Sequence, residues 1–445
     1  MQGVKKSRLS KIDVFSIVLG SIIGWGSFML PGSKFLIEAG VINTTIGIFS
    51  GALFIIIIQG SYYIMLQNHD EEGGEFSYTY QNLGQRYGFL VGWFLSIAYL
   101  TIIPLNSTAF PLVVNKIFGS LFQFGYLYEI AGYKVYLGEI LLSSFIVILF
   151  AYINIKGIKD SAKVQNFIIL LLVIFVFTVF IATLFKSDKS KFLSNYINNY
   201  SFDIKQILRI FAITPFLFIG FDNIPQIFLE FDFDAKKASK IAVISIFVGA
   251  MIYAILNLTT ALMFSPKEAH ELDWALGRGV LDNLGIIFFL MLTIALTAAV
   301  TSGINGFMIS TSKLLGSMAN YNIIPKSLGK VNDTDVFRNA IIFATLISLI
   351  APWFGREVIL WIVDMSSLGA AIAYFFVSFI SRRLATSKTF KIISLLGMLS
   401  SAIIVLLLLV PSSPASLGKE SMIALVMWII LGLVFYFRVT KRKAA

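Results

Sequence analysis

The run Leu19-Gly20-Ser21-Ile22-Ile23-Gly24-Trp25-Gly26-Ser27-Phe28-Met29-Leu30-Pro31-Gly32 lies inside the first long apolar segment of the chain. A glycine in a helix interior costs about 1 kcal/mol relative to alanine, and a proline about 3 kcal/mol. Four glycines and a proline in these fourteen residues therefore predict a helix that is interrupted rather than merely bent. At membrane depth an interruption leaves backbone groups without partners. That is tolerated only where they face protein or a water-filled cavity. The expectation is that these groups meet a substrate and that the other helices hold them in place.

The membrane follows from composition. Of the 445 residues, 57% are hydrophobic and 13% charged, against about 25% charged in an ordinary soluble domain. With a mean hydropathy of +0.85, no soluble core would hide this much apolar surface. Each crossing takes about 20 apolar residues, so a dozen crossings fit the length. The chain has no cysteine, which excludes disulfides and thiol chemistry. His69 and His270, the only histidines, fall in expected loops, so neither a metal site nor a cofactor is expected. The net charge of +11 fits the inside bias of Lys and Arg near membrane spans better than it fits nucleic-acid binding.

Lys5, Lys6, Arg8 and Lys11 precede the first apolar run, as in a signal peptide. No small-residue cleavage site follows cleanly, so this run reads as a retained first helix with a cytoplasmic N-terminus. The apolar segments then fall at about 13–36, 44–66, 89–118, 135–152, 162–185, 207–228, 241–264, 280–315, 340–353, 358–380, 392–410 and 422–437. With both termini inside, every short basic turn shares one side: Lys156 to Lys159, Lys236 to Lys240, Arg382 to Lys391 and the C-terminal Arg438, Lys441, Arg442 and Lys443. That bias favours this orientation, and the C-terminal group suits anionic lipid.

Only the first and sixth segments combine an interrupted centre with polar residues. The sixth contains Pro215, Gly220, Asp222, Asn223 and Pro225. The two are five spans apart, so the second is inverted relative to the first. Paired interrupted helices in inverted halves are the best sequence pointer to a midplane transport site. The half-helix after the break at Gly24 begins near Gly26 and Ser27, and its free N–H groups suit a carboxylate. Carbonyls near Ile22, Ile23, Phe218 and Ile219 suit an ammonium group. Together they describe an α-amino acid. Glycines at such places also serve helix packing. The matched second break tips the reading toward a site.

These residues resemble a known family. The stretch Gly20 to Phe28 with Pro31 resembles the first-helix signature of the amino acid–polyamine–organocation superfamily. Gly73-Gly74-Glu75-Phe76-Ser77-Tyr78 through Phe89-Leu90-Val91-Gly92-Trp93, Phe218-Ile219-Gly220-Phe221-Asp222 with Glu230, and Lys313 to Pro325-Lys326 are similar to its later segments. The resemblance implies an all-α integral membrane protein of twelve transmembrane helices. It implies a leucine-transporter-like 5+5 inverted repeat plus two helices, with helices 1 and 6 broken, working by alternating access. The boundaries become an N-terminal tail (1–12), the first repeat (13–186), an extracellular loop (187–206), the second repeat (207–382) and two final helices with a basic tail (383–445). The resemblance also makes Phe216 an aromatic gate, where the bare sequence gives one Phe among 42. Some proton-coupled members carry a lysine in helix 5, whose position here is Leu172. Exchange with a counter-substrate, or proton coupling through another group, becomes the expectation.

Asp222 has three readings: a proton carrier, a contact for a cationic substrate, or a cap on the second half-helix. Asn106 either reads a polar substrate group or bonds a neighbouring helix. Tyr99, Thr301, Ser302 and Asn305 are weaker candidates of the same kind, and Asp364 reads as a solvated or hydrogen-bonded structural carboxylate. Lys236, Lys237 and Lys240, with Asp232 and Asp234, read as a solvated loop. No deep Arg or Lys is evident, which makes a neutral amino acid the default substrate, with a polyamine or other organic amine as the alternative. An ion channel would need a line of pore-facing polar residues, an enzyme a catalytic constellation, and a primary pump a nucleotide-binding loop. None is visible.

Overall fold

Apolar runs of this length satisfy their backbone hydrogen bonds only as helices, and the chain is helical almost throughout. The computed structural model describes residues 8–69, 71–198, 200–413 and 416–444, with side chains as far as Arg438. Lys5, Lys6 and the side chains of Lys441, Arg442 and Lys443 lie outside the described residues, as does Asp70.

Helix α1 (Lys11–Ile22) opens on a capping box between Ser10 and Asp13 and ends where Ile23 and Gly24 turn extended. Helix α2 (Trp25–Leu30) continues through a π turn (Pro31–Phe35) to Ala39, at 51° to α1. Then come α3 (Ile42–Asn68), α4 (Gly74–Leu83) and α5 (Gln85–Phe118), which runs unbroken through Pro104 and Pro111. An antiparallel hairpin, β1 (Tyr126–Ile130) and β2 (Tyr133–Tyr136), leads to α6 (Leu137–Lys156) and α7 (Ile158–Lys186). Helix α8 (Ile204–Leu217) stops at a turn over residues 218–222, and α9 (Asn223–Ile227) resumes after it. Helix α10 (Ala235–Ala261), α11 (Ala275–Leu284), α12 (Ile286–Asn320), α13 (Arg338–Ile350), α14 (Gly355–Leu384), α15 (Lys388–Leu409) and α16 (Lys419–Ala444) complete the chain.

Among the described residues nine helical stretches are long and apolar enough to cross a membrane, or ten with the bent pair α1 and α2 taken as one. The difference from the expected twelve has a local cause. Residues 338–384 count as one stretch of 47 residues, although the 3-10 turn Ala351–Phe354 divides it. The pieces around 204–227 are too short to count singly.

Helix α12 is the axis of the bundle, with every residue from Ala298 to Ala319 buried. The outer helices α15 and α16 expose apolar side chains such as Leu406 and Val434, as lipid-facing helices do. A polar seam ties α12 to its neighbours. Asn305 accepts from Asn154 (2.8 Å) and Ser161 (2.7 Å) and donates to Gln165 (2.9 Å), which donates to the Ser16 carbonyl (3.1 Å). Asn305 is thus a structural link between α1, α6, α7 and α12.

At the N-terminal end, Leu9 pairs with the chain after α9: its N–H donates to the Glu230 carbonyl at 2.6 Å. Beneath that strap Lys313 pairs with Glu230 (2.6 Å) and Glu72 (2.7 Å). Asp234 caps α10 through the Lys237 N–H. The hairpin belongs to the opposite end, where the Tyr128 hydroxyl donates to the Trp353 carbonyl.

Candidate functional site

The two interruptions touch. Gly220 has φ +125°, a conformation open to glycine but strained for L side chains. A Cβ there would lie 2.6 Å from Ser21 Cβ, 2.8 Å from the Ser21 carbonyl carbon and 3.0 Å from Ile22 N. Only a hydrogen fits between the two backbones. Asn223 reinforces the contact by donating to Ser21 Oγ at 2.7 Å, and Gly306 of α12 leaves room for that pair.

On the α2 side, Ile23 and Gly24 are extended, so Trp25 and Gly26 have no preceding turn to bond to. Their N–H groups are the orphan donors of a helix start. Ser27 donates to the Gly24 carbonyl through its N–H (3.2 Å) and Oγ (2.7 Å). Gly24, Trp25 and Gly26 are partly exposed, whereas Ile22, Ile23 and Ser27 are buried. A Cβ at Gly26 would meet only Leu30, at 3.5 Å or more. That is ordinary van der Waals contact within the same helix. The Asn106 carboxamide sits between the break and α12: a Cβ on Gly24 would lie 3.5 Å from its Oδ1, and one on Gly303 2.7 Å from its Nδ2. Its own Nδ2 donates to the Ile102 carbonyl at 3.0 Å.

Some carbonyls near the breaks already have partners. The Ile22 carbonyl accepts from Tyr253 Oη (3.3 Å) and the Gly20 carbonyl from Ser302 Oγ (2.9 Å). In the second break, Ile219 N–H donates to the Phe216 carbonyl and Phe221 N–H to the Phe218 carbonyl, both at a long 3.4 Å.

Asp222 does not cap α9, since its side chain makes no bond to that helix start. Its Oδ1 folds back to accept from Gly220 N–H at 2.7 Å, which pins the turn. Its Oδ2 accepts from Tyr374 (3.3 Å), and its carbonyl accepts from Tyr99 (3.3 Å). Phe221 packs edge-on against Tyr62 at 5.4 Å and tilted against Tyr374 at 5.2 Å. Tyr62 donates to Glu75 (2.9 Å), which also accepts from Gln226 (2.6 Å). Asp222 and Glu75 are both fully buried. Tyr62, Tyr99, Phe221 and Tyr374, all fully buried, thus form an aromatic floor around Asp222.

On the other side Phe216 lines a cavity with Lys34 and Asp364. Asp364 is exposed there and accepts from Ser421 at 2.9 Å, in keeping with the solvated carboxylate expected. Thr301 is occupied within its own helix, donating to the Thr297 carbonyl.

Two residues correct the expectation that no basic group lies deep. Arg356 is 7% exposed, donates to the Leu105 carbonyl (2.9 Å) and Thr108 (3.0 Å), and stands 5.3 Å over the Trp25 ring. Lys313 is 4% exposed between its two glutamates. The turn Ala351–Phe354 leads into α14, and Arg356 at the start of that helix is turned inward. Glu75, Tyr62 and Tyr374 were also missed as site residues. The Gly73-Gly74 pair, with φ +97° and +47°, marks the turn that delivers Glu75.

The chain matches the model of an amino acid permease family over residues 9–435. It is 22% identical to the branched-chain amino acid permease BcaP of Bacillus subtilis (strain 168), over 99% of this chain and 94% of that protein. It is 22% identical to the methylthioribose transporter of the same organism, over 98% and 94%. To its serine/threonine exchanger SteT it is 24% identical, over 73% and 70%. With a family match across nearly the whole chain, this protein belongs to the amino acid permeases, a family of multi-pass membrane transporters and not of enzymes.

Proposed function

We propose that this permease carries neutral amino acids across the cell membrane by alternating access and binds them where the two helix interruptions meet. The contact between Gly220 and the Ser21–Ile22 backbone carries this reading. It brings the orphan N–H groups of Trp25 and Gly26 beside the carbonyl-rich ends of α1 and α8. A carboxylate on the former and an ammonium on the latter complete both sets. Asn106 faces the side-chain end of that space, and Phe216 covers it from the other side.

In this reading the short pieces around 204–227 form one broken span and residues 338–384 form two, so the spans number twelve. Residues 13–186 and 207–382 are inverted repeats, 1–12 and 383–445 flank them, 187–206 is extracellular, and both termini are cytoplasmic. The tyrosine floor then closes the cytoplasmic side. The branched-chain permease among the relatives supports an apolar neutral substrate. Arg356 is occupied by Leu105, Thr108 and Trp25, so it leaves the default of a neutral side chain standing. Leu172 is buried and apolar. That supports exchange, or proton coupling through Asp222 and Glu75, over a lysine-based route.

Counterflow in proteoliposomes tests the reading. Vesicles preloaded with L-leucine should accumulate radiolabelled leucine, valine or serine, and should not accumulate putrescine or aspartate. Accumulation of putrescine alone, or ion flux without any amino acid, would overturn it.

A further inference from the structure

A groove of about 520 Å³ runs between the start of α5 and the second half of α16. The two helices meet at one tight crossing. A Cβ on Gly432 would lie 2.6 Å from Trp93 Nε1, and that nitrogen donates to the Trp428 carbonyl at 3.1 Å. Trp93 stacks there on Trp428 at 4.4 Å and on Phe89 at 5.6 Å. The groove lies beside this stack, with Leu90 of α5 and Leu433 of α16 in its walls. Its lining holds a single charge, Arg86, at the α5 start. Arg86 is exposed, as are Arg438 of α16 and Arg382 and Arg383 in the last turn of α14. Tyr87 touches Phe376 of α14 at 5.7 Å, so these arginines share one end of the bundle. Among the described residues none of them makes an ion pair. Helix α5 also opens here without a side-chain cap, so its first N–H groups lack intrahelical partners.

We infer that this groove seats one anionic phospholipid, with its phosphate on Arg86 and the α5 start and an acyl chain along the aromatic stack. Walls and rim together select that occupant. A soluble anion satisfies Arg86 and leaves the apolar walls bare, whereas a neutral alkyl chain covers the walls and leaves the guanidinium without a counter-charge. A phospholipid does both. The length agrees as well. The step from Arg86 to Phe94 rises about 12 Å along α5, and one leaflet of hydrocarbon is about 15 Å deep. A headgroup at the membrane surface therefore places its chain along the whole groove. Guanidinium and phosphate pair through two parallel hydrogen bonds, and the further arginines at this rim favour a headgroup of net negative charge over a zwitterionic one. Helix α16 is the least buried of the spanning helices among the described residues. The lipid gives it a second attachment to α5, the helix that carries Tyr99 and Asn106. This site is independent of which substrate the breaks bind.

Native mass spectrometry of the purified full-length protein tests this, with dioleoylphosphatidylglycerol and dioleoylphosphatidylcholine titrated in the same detergent. The wild type should hold one phosphatidylglycerol about tenfold more tightly than phosphatidylcholine, the effect of one charge-assisted hydrogen bond. Arg86→Gln should bring the two affinities together. Leu433→Trp, which fills the groove, should weaken phosphatidylglycerol binding by a similar factor. Both side chains are exposed, so without lipid the unfolding midpoints of the two variants should match the wild type. With phosphatidylglycerol only the wild-type midpoint should rise. Equal affinities of the wild type for the two lipids, or a preference that survives Arg86→Gln, would overturn the site. Displacement of the lipid by inorganic phosphate would also overturn it, because the arginines alone would then make the site. A wild-type dimer that Leu433→Trp dissociates would make a second copy of this chain the occupant and overturn it as well.

Discussion

Gly220 lies against Ser21 so closely that a Cβ on the glycine would come within 2.6 Å of the serine Cβ. Two helix interruptions about 200 residues apart in sequence thereby share one backbone junction, and the φ of +125° at Gly220 is the local condition for it. Gly220→Ala places a methyl group on the Ser21 backbone and forces a positive φ on a side-chain-bearing residue. The expected loss is about 1–3 kcal/mol from the backbone conformation alone, with a further cost from the clash. Thermal unfolding in detergent should show a lower midpoint, and uptake should fall with it. An unchanged midpoint would mean that the two breaks do not pack in this way.

Lys313 holds two glutamates at the N-terminal end of the bundle, and the pair with Glu230 is buried on both sides, at 5% and 4% exposure. Lys313→Met leaves the Glu230 carboxylate buried without its partner, which typically costs about 3–5 kcal/mol. The double variant Lys313→Met, Glu230→Gln should recover most of that loss. Thermal unfolding of the wild type, both single variants and the double variant gives the coupling directly. If the four midpoints are additive, the pair contributes nothing.

Glu75 lies outside the spanning helices, and its titration is read from the fold. Burial, with the Asp222 carboxylate nearby, pushes its carboxyl from an ordinary 4.5 up to about 8. Between those values the folded chain holds a proton that the unfolded chain has released. Stability from this group therefore falls as pH rises through that window. Glu75→Gln keeps a neutral side chain among Tyr62 and Gln226 and removes the titration. The wild-type midpoint should drop between pH 5 and pH 8 more steeply than that of the variant. Equal slopes would refute the buried protonated state.

The interruptions were legible because glycine and proline carry large, local penalties that need no tertiary context. Their contact was not, since it depends on what Gly220 meets across the bundle. The same divide separates the other residues. Asp222 was legible as a carboxylate in a break, and capping was an open reading. The fold turns it back to Gly220 N–H, because the turn at 218–222 leaves that donor free. Arg356 drew no notice in the sequence, because its burial depends on the 3-10 turn Ala351–Phe354 that precedes it. The hairpin at 126–136 did leave a signal, in Tyr-rich segments around Ala131-Gly132, whose φ values of +51° and +78° make the tight turn. Its mixed polarity hid it among loop residues.

The most direct test of the junction as a substrate site is initial-rate uptake of radiolabelled L-leucine by Gly26→Val in proteoliposomes, with thermal unfolding measured on the same preparation. A Cβ at Gly26 would make only ordinary contacts with Leu30, at 3.5 and 3.9 Å, and in the proposed site the added side chain takes the place of the substrate carboxylate. The predicted result is a wild-type unfolding midpoint with uptake reduced at least about tenfold, a loss of roughly 1.4 kcal/mol or more. Wild-type uptake by a normally folded Gly26→Val would contradict backbone recognition at the break.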